Sequence, residues 1–105
     1  MITAIVTFEL PEGTTRDDAA EIFKASAPRY RGVPGLVRKY HVFGDDGTGG
    51  GIYLWQLREA AEALYDDAWR TMIRERYGAE PSVRYFDTPV IVDNVIGDIQ
   101  IDGNN

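Results

Sequence analysis

The chain has 105 residues and 11.8 kDa, enough for one domain that buries roughly 60–70% of its unfolded surface and folds without cross-links. Its net charge of −6, pI near 4.6 and scattered Lys and Arg argue against nucleic acid as a partner. With no cysteine there is neither a disulfide framework nor a thiolate metal site. The absence of a long apolar run and of a basic-then-apolar leader points to a cytoplasmic protein with no membrane partner.

Residues 1–10 alternate, with Ile2, Ala4, Val6, Phe8 and Leu10 on one face and Thr3, Ile5, Thr7 and Glu9 on the other, which predicts a strand. Pro11-Glu-Gly13 breaks it. Thr14 or Thr15, followed by Arg16, Asp17 and Asp18, predicts a helix N-cap with acids in the first turn, where the helix dipole favours them. Ala19, Ile22, Phe23, Ser26 and Ala27 form that helix's apolar stripe. Pro28 lacks the N–H that would continue the ladder, so a fresh turn is expected there with Tyr30 tucked beneath it.

A second strand is predicted over residues 36–44, carrying Arg38, Lys39 and His41 among Leu36, Val37, Tyr40, Val42 and Phe43. Asp45-Asp-Gly-Thr-Gly49 reads as a hairpin connection. It leads through Gly49, Gly50 and Gly51 into the strand Ile52-Tyr-Leu-Trp-Gln-Leu57. From Arg58 the period changes to three or four, through Ala61, Leu64 or Tyr65, Ala68, Met72 and the stem of Arg76, which predicts one long helix closed by Gly78. A fourth strand is predicted over residues 81–87, a short extended segment over 90–92, and a partly disordered tail over 95–105.

The order β-α-β-β-α-β is that of an α+β, ferredoxin-like antiparallel sheet with both helices on one face, within a single domain over residues 1–94. The other face is left bare and carries apolar residues, so a homodimer joined sheet to sheet is expected, with residues 90–92 adding to the partner's edge.

Four segments carry a family resemblance in order and spacing: Val33-Pro-Gly-Leu-Val-Arg-Lys-Tyr40, Gly50-Gly-Ile-Tyr-Leu-Trp55, Arg58-Glu-Ala-Ala-Glu-Ala63 and Tyr85-Phe-Asp-Thr-Pro-Val-Ile-Val-Asp-Asn94. Across residues 2–94 the chain resembles the YdhR-like mono-oxygenases of the dimeric α+β barrel superfamily. Gln56 and Leu57 depart from the family's small polar helix cap. The resemblance implies a cofactor-independent mono-oxygenase in which the substrate itself is the reductant: an electron-rich phenol loses a proton and its carbanion passes an electron to oxygen. The substrate so implied is small and aromatic or polyketide-like. It would bind between sheet and helices as a hydrophobic ligand.

The residues themselves offer one histidine, His41, as a general base, because imidazole titrates near neutral pH. Arg38 or Lys39 would steady a phenolate, and Tyr53, Trp55 and Tyr85 would stack on its ring. Strand parity allows His41 to share a cavity with Lys39, or Arg38 with Tyr40, but not both pairs. The expected catalytic pair is His41 with Lys39; Tyr53, Trp55, Tyr85, Thr7, Arg38 and Tyr40 are the expected substrate contacts. Packing roles for His41, Tyr53 and Trp55 stand as the alternative. Asp17, Asp18, Glu59, Glu62, Asp66 and Asp67 read as solvated helix faces, and no spacing resembles a metal site. The run Gly47-Thr-Gly-Gly-Gly51 joins two strands instead of opening a helix, so it lacks the setting of a nucleotide loop. A cyclase, isomerase or lyase on the same scaffold, and a non-catalytic dimer binding a small ligand, remain as further readings.

Overall fold

The computed structural model describes residues 1–102 of the chain. The alternating N-terminal segment is strand β1 (Ile2–Glu9), followed by helix α1 (Arg16–Ser26), a 3-10 turn (Ala27–Tyr30), the hairpin of β2 (Leu36–Phe43) and β3 (Thr48–Trp55), helices α2 (Arg58–Leu64) and α3 (Asp67–Tyr77), and strands β4 (Ser82–Asp87), β5 (Val90–Asp93) and β6 (Asp98–Ile101). Strands β2-β3-β1-β4 make one antiparallel sheet and β5-β6 a separate hairpin. This is the ferredoxin-like α+β arrangement.

Local chemistry accounts for the helix ends. Thr15 accepts a hydrogen bond from the Asp18 N–H while Asp18 accepts one from the Thr15 N–H, each at 3.1 Å, a reciprocal cap that starts α1. Pro28 ends it as expected, and the chain tightens into the 3-10 turn that buries Tyr30.

The single helix expected after Arg58 is instead two. Asp66 accepts a hydrogen bond from the Trp69 N–H at 2.8 Å and so caps a new helix, while Tyr65 sits off the helical backbone at φ −83°, ψ 51°. A short acidic side chain at that point satisfies the free N–H groups of α3 better than continued helix would. The buried stripe becomes Ala61, Tyr65, Trp69, Ile73 and Tyr77, spaced by four, so Ala68 and Arg76, expected inward, are exposed. Gly78 closes α3 in the left-handed region at φ 77°, its N–H bonded to the Arg74 carbonyl at 2.7 Å.

The helices cover one face of the sheet, against Ala4, Val6, Phe8, Tyr53, Trp55, Val83 and Tyr85. The opposite face carries Thr3, Ile5 and Thr7 of β1, Arg38, Tyr40 and Val42 of β2, Ile52 and Leu54 of β3 and Arg84 and Phe86 of β4, none of them fully buried. The glycine triplet lies inside β3, not ahead of it, with Gly49, Gly50 and Gly51 paired on both sides. Register on β1 and β2 overrides the weak strand preference of glycine. The segment expected as a tail contributes β6, whose Ile99 and Ile101 pair with Val92 and Val90, so the hairpin crosses the expected boundary at residue 94. The disorder expected at the very end falls, for residues 103–105, outside the described residues. No helix among the described residues is long and apolar enough to cross a membrane.

Candidate active site

A β-bulge between Leu36 and Arg38 decides which side chains of β2 face the helices. One extra residue there shifts the alternation, so Leu36, Lys39, His41 and Phe43 point inward while Arg38 and Tyr40 point out. His41 and Lys39 therefore share the covered face with Tyr53 and Trp55.

Around them the 3-10 turn contributes Tyr30, α1 contributes Phe23 and Ser26, and α3 contributes Trp69, Arg76 and Tyr77. Lys39 Nζ lies 3.3 Å from the centre of the Tyr30 ring and 4.6 Å from that of Tyr53. The His41 ring is 5.3 Å from Phe23 and 6.0 Å, edge-on, from Tyr30. Trp69 Nε1 donates to the Tyr30 hydroxyl at 3.2 Å and Trp55 Nε1 to that of Tyr65 at 3.1 Å, which holds the aromatic wall in one arrangement.

The glycines of β3 form the floor. A Cβ on Gly51 would stand 2.9 Å from both Lys39 Cε and Tyr53 Cε1, and one on Gly50 would meet the Val6 carbonyl oxygen at 1.9 Å. Only bare backbone lets the lysine stem cross β3 and β1 approach it so closely. What space is left is about 10 Å³, room for a single water. A second, open hollow of about 270 Å³ lies between the 3-10 turn and the outer edge of β2, and Tyr30, Lys39 and His41 line both spaces.

Burial sets the electrostatics. It lowers the Lys39 ammonium from 10.5 to about 7, because the charged form loses its water. Burial, and then the neighbouring Lys39 charge, lowers His41 from 6.5 to about 4. Its Nε2 is buried with no hydrogen-bond partner among the described residues. Tyr53 and Tyr65 are pushed up by burial and stay un-ionised, so neither acts as a base.

The expected site residues thus separate. His41, Lys39 and Tyr53 converge on the inner space. Trp55 is fully buried behind Tyr53, stacked on it at 6.1 Å, and Tyr85 lies farther out beside Tyr65 and under the Arg58 guanidinium at 4.4 Å. Thr7, Arg38 and Tyr40 are on the opposite face and do not reach the inner space. Arg38 and Tyr40 instead line an apolar cleft of about 400 Å³ between the open face and the β5-β6 hairpin. Sequence reasoning missed Tyr30 and Phe23 as wall residues, and it set Trp69, with Tyr65, first among core or helix-edge residues and only second in the wall. Tyr30 had a signal in its place straight after the Pro28 break, whereas Trp69 became legible only once Asp66 was seen to restart the helix. Among the described residues no three of His, Cys, Asp and Glu come together as a metal site.

The fold has solved counterparts. A provisionally named antibiotic biosynthesis monooxygenase from Deinococcus radiodurans superposes with a TM-score of 0.61 over 84% of this chain and 92% of its own, at 12% identity. SnoaB, a cofactor-independent oxygenase from Streptomyces nogalater solved as a point mutant, does so with a TM-score of 0.59 over 83% and 91%, at 16% identity. At such identities the likeness is one of fold. No family model matches the chain, and no curated protein does.

Proposed function

We propose that the chain is a cofactor-independent mono-oxygenase acting on a small aromatic or polyketide-like phenol, with Lys39 and His41 at the reacting centre. The carrying observation is a half-buried imidazole whose Nε2 is buried and unpartnered among the described residues, beside an amine brought to about 7 by burial, both walled by aromatic rings. Support comes from the fold, shared with SnoaB, and from the narrower YdhR-like resemblance of four segments.

The free imidazole Nε2 accepts a hydrogen bond from the substrate hydroxyl and fixes its direction. Lys39 takes the proton, since a base is most effective when its pKa lies near the working pH, and His41 at about 4 is the weaker of the two. The resulting ammonium then steadies the phenolate. The electron-rich carbanion passes an electron to oxygen and recombines with it. One oxygen atom remains on the ring carbon as a carbonyl and the other leaves as water, so the substrate supplies every electron. A ring-sized substrate does not fit the inner space; it enters the open hollow at the β2 edge, where Tyr30, Lys39 and His41 are also exposed to it.

Oxygen uptake against hydroxynaphthalenes and anthrones, with Lys39→Met and His41→Ala run beside the unaltered chain, tests this. Oxygen-dependent turnover lost in both variants supports the reading. Uptake no faster than buffer removes it. Turnover without oxygen would instead favour a cyclase or isomerase, and turnover unaffected by His41→Ala, or none at all, would leave a non-catalytic small-ligand-binding dimer.

The working unit we propose is a homodimer joined through the open face of the sheet. Tyr40 there is 53% exposed, and the hairpin adds Val90, Val92, Ile99 and Ile101, all more than half exposed. This much exposed apolar surface, on the open sheet and on the hairpin beside it, fits a self-complementary two-fold contact.

A further inference from the structure

We propose that Lys39 is a covalent carbonyl-capture site, whose amine condenses with an aromatic aldehyde or ketone entering from the β2 edge to form an imine. This goes beyond proton transfer and needs no oxygen.

Three observations converge on it. Among the described residues Lys39 Nζ has no acidic partner: neither the inner space nor the edge hollow is lined by any Asp or Glu. The titratable groups lining the two spaces beside it are His41 and, at the rim of the edge hollow, Arg38 from its own strand, Tyr53 from β3, Tyr30 and Arg31 from the 3-10 turn and its end, and Arg76 and Tyr77 from α3. No carboxylate there holds the amine in its charged form, and burial leaves its lone pair available. The second observation is position, because Lys39 lies in the wall between the open hollow and the inner space, where an incoming carbonyl meets it first. The third is the cage itself. The faces of Tyr30 and Tyr53, 3.3 and 4.6 Å from Nζ, hold the amine and offer flat apolar surface to an aryl group. Burial that brings the amine to about 7 agrees with this.

The chemistry balances without an oxidant. The amine lone pair attacks the carbonyl carbon, and the proton it sheds passes by way of the free Nε2 of His41 to the carbonyl oxygen, giving a carbinolamine. The C–O bond then breaks as C=N forms, the amine's remaining proton passes by way of His41 to the departing hydroxyl, and the oxygen leaves as water.

The chain offers a built-in control, since its only other lysine is Lys24, exposed on α1 and paired with Glu21 at 2.9 Å. The folded chain would be incubated under argon near neutral pH with benzaldehyde and sodium cyanoborohydride, and the adducts placed by peptide mapping. The expected result is benzylation of Lys39 at least about tenfold faster than of Lys24 or the Met1 amine. Lys24→Arg should keep the fast adduct and Lys39→Arg should lose it. His41→Gln should slow it several-fold. Labelling of Lys24 or Met1 as fast as Lys39, or labelling of Lys39 only after unfolding in urea, would overturn the proposal. If Lys39→Arg does not fold, the map of the unaltered chain decides alone. Trapping under argon without oxygen uptake in air keeps this site and removes the mono-oxygenase; uptake without trapping does the reverse.

Discussion

Replacing Lys39 with methionine should make the protein more stable, and by an amount that depends on pH. Methionine fills a similar volume with a flexible, uncharged chain, so the packing against Tyr30 and Tyr53 survives while the buried charge goes. Folding lowers the amine from 10.5 to about 7. Below about 7 both the folded and unfolded chains are protonated, and the full desolvation penalty is present. Between about 7 and 10.5 the unfolded chain holds a proton that the folded chain has shed, so stability rises with pH across that window. Above it the penalty is gone. The undiscounted shift corresponds to about 5 kcal/mol. Lys39 is only partly enclosed, and solvent screening brings the expectation to about 2–4 kcal/mol in favour of Lys39→Met near pH 6. That advantage should shrink steadily toward pH 10. Urea unfolding followed by the fluorescence of Trp55 and Trp69, both buried, reads it directly at fixed protein concentration. A difference that does not change with pH, or a variant less stable than the unaltered chain near pH 6, would refute the assignment of a desolvated amine.

Four other outcomes are expected. His41 is lowered from 6.5 to about 4, so the unfolded chain binds the extra proton between those values and stability should fall by up to about 2–3 kcal/mol on acidification through that window; His41→Phe should flatten this limb of the urea–pH profile. Tyr65→Phe leaves the fully buried Trp55 Nε1 without an acceptor and should cost about 1–3 kcal/mol in the same assay. Gly50→Ala, whose Cβ would lie 1.9 Å from a backbone oxygen, should prevent stable folding, whereas Gly51→Ala, which meets the movable Lys39 stem and the buried Tyr53 ring at 2.9 Å each, should fold with reduced stability and lower oxygen uptake with hydroxynaphthalenes. Light scattering should find a dimer that the pair Tyr40→Asp with Ile99→Asp turns into a monomer, because two charges then enter the apolar contact.

Local signals were enough for most of the frame. Strict alternation over residues 2–8, the cap at Thr15 with its Asp18 partner, the break at Pro28 and the stop at Gly78 act over a few residues, and each has the same preference in the isolated chain as in the folded one. Their order leads to the ferredoxin-like topology without any long-range information. The break at Asp66 was also written locally, but an acidic residue on a helix reads equally as a solvated face and as a cap, and only the inward turn of Trp69 separates the two. At the site, sequence marked His41 and Lys39 as one alternative and Arg38 with Tyr40 as the other. The bulge beside Leu36 chose between them, and a bulge depends on pairing with β3, not on the residues of β2 themselves. Tertiary structure alone decided that Gly50 and Gly51 pave the floor under a lysine, that burial would bring that lysine to about 7, and that aromatic side chains fill the space between sheet and helices almost to closure. Each of these is a property of distances between segments far apart in the chain, and no periodicity or composition carries such a distance.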